Sequence, residues 1–157
     1  MKFEEFVCFK ATIAHLQATD RDGAIAELVS ALVTADQIAA ESAKDVTKAV
    51  TKRENEASTG MGKGVAVPHV KHSTVKQVVA AVGHSSTGID FASLDEQPVY
   101  SVILLISPLD NPDKHLQAME NIFRHLQKER FRKFLRQCRE PDALQDLLRE
   151  ADENPSW

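Results

Sequence analysis

At 157 residues the chain has about the length of one domain, enough to bury a substantial core. Apolar residues make up 43% and charged residues 27%, a globular composition that excludes a disordered tail or a fibre. With 19 Lys and Arg against 23 Asp and Glu, the formal charge of −4 offers no overall attraction to nucleic acid or to anionic membranes.

Cys8 and Cys138 lie far apart with no CxxC spacing. They read as reduced, partly buried thiols of a cytoplasmic protein, not as a disulfide or a metal site. No apolar run approaches the ~20 residues of a membrane helix, and MKFEEFVCFK lacks the long apolar region of a secretory signal. The expectation is a chain that neither inserts into a membrane nor is exported.

In chain order, Ile25, Leu28, Val29 and Leu32 recur at helical spacing behind Thr19 and Asp20, either of which can cap an N-terminus. A second helix starts near Ser42, whose spacing to Asp45 resembles a capping box, and runs through Val46, Ala49 and Val50 towards Arg53. Arg53 follows Val50 by three residues and Val46 by seven, which projects it from the buried face, where an arginine wants an anion. The alternative is a snorkelling side chain or one paired with Glu56. Gly60, Gly62 and Gly64 then mark a loop, and Val65 to Val67 a short strand that Pro68 ends, leaving His69 at a strand's end.

Gln77 to Val82 reads as a strand, Ser85 to Gly88 as a turn, and Val99 to Ile106, apolar almost throughout, as a central strand covered on both faces. Asn111 and Pro112 read as N-cap and first residue of a helix with Leu116, Met119, Phe123 and Leu126 on one face and His115 in its first turn. Phe131, Phe134, Leu135 and Cys138 mark another helix. Leu144, Leu147 and Leu148 mark a last one, before a polar tail, residues 152–157, expected to be mobile. The pattern is one α/β domain over residues 1–157, a sandwich with helices on both faces of one sheet and sites in loops beyond strand ends.

His69 and His115 both fall in such places. A helix N-terminus presents unpaired N–H groups, so His115 is expected to stay neutral and help to bind an anion. Arg53 adds a permanently charged fork of donors, and an imidazole at the centre of a phosphate-sized pocket can act as nucleophile. Spacing alone makes this a candidate. A zinc site from His69-x-x-His72 with His84 or His115 is a weak pattern without nearby Cys or a His-Glu-x-x-His helix, so no metal is expected. His15, His84 and His125 read as structural or exposed, and the basic residues Lys128, Arg130, Arg132, Lys133, Arg136 and Arg139 as a solvated face able to steer an acidic partner.

Arg53-Glu54 followed by Ser58-Thr59-Gly60-Met61-Gly62-Lys63-Gly64-Val65-Ala66-Val67-Pro68-His69 resembles the signature of type-2 enzyme IIA domains of the sugar phosphotransferase system, its fructose/mannitol and nitrogen-regulatory branches. The resemblance runs from about Phe6 to Ala151 and includes Gly88-Ile89-Asp90-Phe91 and Pro98-Val99; Val70-Lys71-His72 departs from it. It implies a mixed sheet between helical layers, a three-layer α/β/α sandwich. It implies that His69 accepts a phosphoryl group from an HPr-like carrier without metal or cofactor, and that His115 and Arg53 assist. Thr59 is a weaker candidate for the phosphoryl group, since hydroxyls in such loops more often satisfy local groups. The onward acceptor is an enzyme IIB or a regulated target protein. The chain holds no enzyme IIB cysteine loop, carrier domain or membrane segment, which favours regulation over uptake. The competing expectation is a binding-only relative that has lost transfer.

Overall fold

The computed structural model describes residues 1–156; Trp157, the end of the expected tail, lies outside the described residues. In chain order the helices are α1 (Phe3–Phe6), α2 (Arg21–Thr34) and α3 (Ala43–Glu56), then α4 (Pro112–Leu126), α5 (Glu129–Gln137) and α6 (Pro141–Glu153). Between the two sets run β1 (Gly60–Gly62), β2 (Val65–Ala66), β3 (His69–Lys71), β4 (Val79–Ile89) and β5 (Val99–Ser107).

β5 is the axis of the sheet. β4 lies antiparallel on one side, and β2 and β3 lie parallel on the other. Alternate β5 residues serve opposite faces: Val102, Leu104 and Ile106 pack under α2 and α3, and Ile103 and Leu105 under α1, α4, α5 and α6. A strand buried on both faces reads as a continuous apolar run, which is why the sequence expectation of a three-layer α/β/α sandwich around a mixed sheet holds. The backbone after α1 extends the sheet, with Val7 beside Ala80 and Ile13 beside Gly83 on the far edge of β4.

Several local expectations are corrected. The glycine-rich segment is half of a hairpin: β1 pairs antiparallel with β2, and Lys63 (φ 60°) and Gly64 (φ 82°) make the two-residue turn that such a hairpin favours. Ser85 to Gly88 is no turn but an irregular stretch inside β4, where the register to β5 shifts between His84 and Ile89. On α4 the buried stripe is His115, Ala118, Ile122 and Leu126, and Leu116 is exposed, one position off the predicted face.

The Asp20 and Asn111 caps form, accepting from Gly23 N and Lys114 N. Ser42 makes no side-chain cap bond, and Asp45 is taken by His72 instead. Asp152 and Glu153, read as the start of the tail, belong to α6; buried Asp152 accepts bonds from Phe3 N and Glu4 N at the start of α1.

Candidate functional site

Pro68 separates β2 from β3 without shifting their register on β5. Val65 pairs with Ser101, Ala66 with Val102 and His69 with Leu105, one constant register across the gap. Proline lacks an N–H, but its carbonyl still accepts from Leu105 N at 2.9 Å, so the ladder resumes at once. His69 is therefore the first residue of β3, not a residue of a loop beyond a strand's end.

The His69 ring is half-buried, and its Nδ1 lies 2.8 Å from the Val67 carbonyl oxygen. A carbonyl can only accept, so Nδ1 carries the hydrogen, and in the neutral ring the lone pair sits on Nε2. Burial lowers the pKa of this ring, opposed by the Val67 hydrogen bond; positive Arg53 lowers it further and Glu54 raises it.

β5 ends at Ser107 and Pro108, and α4 begins at Pro112, whose fixed φ and missing N–H suit a first helical position. The short connection sets His115, in the first turn of α4, beside His69: the ring centroids are 5.8 Å apart and the planes tilted by 42°. His115 is buried, and its Nδ1 lies 2.6 Å from Ser107 Oγ. Its pKa is pushed down to about 4, by burial first and then by His69 and Lys71. That leaves the ring neutral at physiological pH, through burial and its neighbours and not through the helix N-terminus from which the sequence expectation argues.

Arg53 is half-exposed, and Nη1 donates to the Ala57 carbonyl at 3.0 Å. This differs from a fully buried arginine and from a pair with Glu56. The residue that α3 buries at this turn is Glu54, 2% exposed, four residues after Val50 and eight after Val46. Its two carboxylate oxygens take the Thr59 hydroxyl and Thr59 N, the latter at 3.1 Å. Thr59 is thus engaged with Glu54 and anchors the loop between α3 and β1.

The structure therefore joins His69 and His115 by direct ring contact. It sets Arg53 near enough to act on His69 through its charge, and Thr59 one step removed. Glu54 and Ser107 were missed by sequence reasoning. The helical spacing of Glu54 from Val46 and Val50 was a usable signal for the first. Ser107 gave none, because Ser-Pro reads as a strand terminator.

The other histidines go elsewhere. His72 Nδ1 accepts from Thr74 N, which leaves Nε2–H for Asp45 at 2.5 Å. His84 Nε2 accepts from Arg139. His125 packs against Phe3 and Phe131 and donates to the Asn121 carbonyl. Lys63 sits on the exposed hairpin turn with its N–H on Asp95. Among the described residues no group of three or more His, Cys, Asp or Glu is placed to hold a metal ion. No helix among them is long and apolar enough to cross a membrane. The site offers one nucleophilic nitrogen with a guanidinium and a neutral imidazole beside it, an arrangement suited to a phosphoryl group.

Residues 7–151 match the family model described as phosphoenolpyruvate-dependent sugar phosphotransferase system, EIIA 2. The fructose-specific EIIA component of Haloferax volcanii is 32% identical over 133 residues, 85% of either chain. The fructose-specific EIIABC component of Bacillus subtilis is 30% identical over 152 residues, 97% of this chain; the chain spans only 24% of that larger protein. Among solved structures, the nitrogen regulatory protein IIA-Ntr of Neisseria meningitidis superposes with a TM-score of 0.82 at 22% identity, covering 92% of this chain and 97% of that one. The enzyme IIA of the mannitol system of Escherichia coli, in complex with phosphorylated enzyme IIB, gives 0.74 at 19% identity, covering 90% of this chain and 95% of that one. At these identities the two structures speak for the fold.

Proposed function

The chain belongs to the EIIA 2 family of the phosphoenolpyruvate-dependent sugar phosphotransferase system, and from that premise we propose that it is a phosphohistidine carrier whose acceptor atom is Nε2 of His69. An HPr-like phosphocarrier supplies the phosphoryl group, which then passes to an enzyme IIB or serves as a regulatory signal. The reading takes residues 1–157 as one enzyme IIA unit working in the cytoplasm.

The observation that carries it is the hydrogen bond from His69 Nδ1 to the Val67 carbonyl. It fixes the nucleophilic lone pair on Nε2 before any partner arrives. In the transfer step that lone pair forms an N–P bond as the P–N bond of the donor's phosphohistidine breaks, and the electron pair of the broken bond returns to the donor ring. Positive charge moves onto the His69 ring, where the Val67 carbonyl steadies it, and Nδ1 keeps its proton. In-line transfer asks the protein mainly to position the groups and to balance charge on the equatorial oxygens. Arg53 meets that need with a permanent charge, and His115 with an uncharged donor. Thr59 acts through Glu54, by holding the loop that follows Arg53.

Partner docking is supported by Leu109 and Leu116, 62% and 63% exposed, in the β5–α4 connection and directly after His115. Large exposed apolar side chains beside a transferable group suit a protein partner. The fructose-specific relatives and the nitrogen-regulatory neighbour support the two outlets, onward transfer and regulation. The IIA–IIB complex of the mannitol neighbour makes an enzyme IIB the natural onward acceptor.

The test is the intact mass at neutral to alkaline pH after incubation with phosphoenolpyruvate, enzyme I and an HPr-like carrier, with His69→Ala as control. One phosphoryl adduct on the wild type, absent from the variant, is expected. No adduct with a cognate carrier present would overturn the reading in favour of a binding-only module of the same fold.

A further inference from the structure

Resting on the reading above, in which His115 faces the phosphoryl group, we propose that Ser107 is a positioning residue that fixes the tautomer of His115. By donating its hydroxyl hydrogen to Nδ1, it makes Nε2–H the group presented beside His69.

The placement follows from the strand. Ile103 and Leu105 face the α4 layer, and Ser107, two residues further along β5, faces it too. Its hydroxyl is fully buried beneath the first turn of α4, and among the described residues its one hydrogen-bond partner is His115 Nδ1, at 2.6 Å. A neutral imidazole has one N–H. If Nδ1 held it and donated to Ser107, the serine O–H would be left buried without an acceptor, a loss that folded proteins rarely accept. Nε2 would then turn a lone pair towards the oxygens of an incoming phosphoryl group. If Ser107 donates instead, its hydrogen is satisfied and Nε2–H is left to donate.

The two rings of the site are then in opposite tautomers, each set by the oxygen beneath it. The Val67 carbonyl can only accept and holds His69 as the Nδ1–H form, with a nucleophilic Nε2. The Ser107 hydroxyl has a hydrogen to give and holds His115 as the Nε2–H form. Orientation of a functional histidine through its second nitrogen is how outer partners tune such rings. No proton leaves His115 in the transfer; the ring only donates a hydrogen bond.

The experiment is two-bond 1H–15N correlation of the histidine rings in the 15N-labelled, unphosphorylated full chain at pH 7.5, for the wild type, Ser107→Ala and Ser107→Thr. His115 is expected in the Nε2–H form in the wild type and in Ser107→Thr, which keeps a hydroxyl, and as a mixture in Ser107→Ala. The initial rate of adduct formation on His69 is expected to fall about tenfold in Ser107→Ala and to recover in Ser107→Thr, the scale of loss when an orienting partner is removed. An Nδ1–H form of His115 in the wild type overturns the proposal without any variant, and so does an unchanged tautomer in a folded Ser107→Ala. The ring spectra need no phosphoryl donor. A protein with the expected tautomers that forms no adduct would therefore sink the carrier reading and leave the Ser107 assignment standing.

Discussion

The rings of His69 and His115 lie side by side with centroids 5.8 Å apart and planes tilted by 42°, one from the first residue of β3 and the other from the first turn of α4. Neither element could supply the pair alone, and Arg53, half-exposed near the end of α3, acts on His69 through its charge. If these groups share the charge of one phosphoryl group, removing either helper slows its uptake while the acceptor nitrogen survives. Arg53→Gln and His115→Ala are each expected to lower the initial rate of adduct formation by about 10²-fold, the usual loss for one donor to developing charge. Arg53→Lys is expected to recover only part of the rate, because an ammonium lacks the planar fork. Rates within twofold of the wild type would remove the substituted residue from the site.

Glu54 gives a stability prediction separate from transfer. Its carboxylate is buried and takes two donors of Thr59, so Glu54→Ala leaves a half-buried hydroxyl and an N–H without their acceptor. A loss of about 1–3 kcal/mol is expected, read as a lower urea midpoint at unchanged slope. Thr59→Val, which removes only the hydroxyl, is expected to lose less. Equal midpoints for the wild type and Glu54→Ala would show that the loop is held by other contacts.

How far the sequence could be read follows from which forces act locally. The α/β/α layering was legible because burial of one helical face writes a period into the sequence, as at Ile25, Leu28 and Leu32, and burial of both strand faces writes an unbroken apolar run, as along Val99 to Ile106. The Asp20 and Asn111 caps were legible for the same reason, since a cap bonds within its own turn. The failures are long-range. Ser42 and Asp45 look like a capping box until His72, 27 residues away, takes the Asp45 carboxylate. Pro68 looks like a terminus until Leu105 shows that the ladder continues through its carbonyl. His69, His115 and Arg53 could be named through the resemblance and their spacing, but Ser107 and Glu54 act through contacts that only the packed sheet and helix create.

The depressed histidines set the direction of a pH effect. A ring that binds its proton less well folded than unfolded pulls the equilibrium towards the unfolded chain as the pH falls. For His115, shifted from 6.5 to about 4, the stabilising contribution is complete above about pH 6.5 and is lost progressively down to about 4. His69, His84 and His125, all lowered chiefly by burial, add slope in the same sense. The urea midpoint is therefore expected to fall between pH 7.5 and pH 5, and His115→Gln to flatten that fall. A midpoint constant across this window would contradict the burial of these rings.

Asp152 ties the end of the fold to its beginning. Its carboxylate accepts Phe3 N at 2.7 Å and Glu4 N at 3.0 Å, on the other side of the chain's whole length. Phe3 in turn stacks on Phe131 with centroids 5.9 Å apart and packs against His125, so the bond holds an aromatic cluster as well as the start of α1. Asp152→Ala leaves the buried Phe3 N–H without an acceptor, and a loss of about 1–3 kcal/mol is expected. Asp152→Asn keeps one acceptor oxygen and should fall between the variant and the wild type. The change should be local before it is global: amide exchange at residues 3–6 is expected to quicken by about tenfold or more, with β5 protected until the whole fold opens. Unaltered exchange at Phe3 in Asp152→Ala would mean that α1 is held by the burial of Phe3 and Phe6 alone, and that the contact between α6 and α1 contributes nothing to their order.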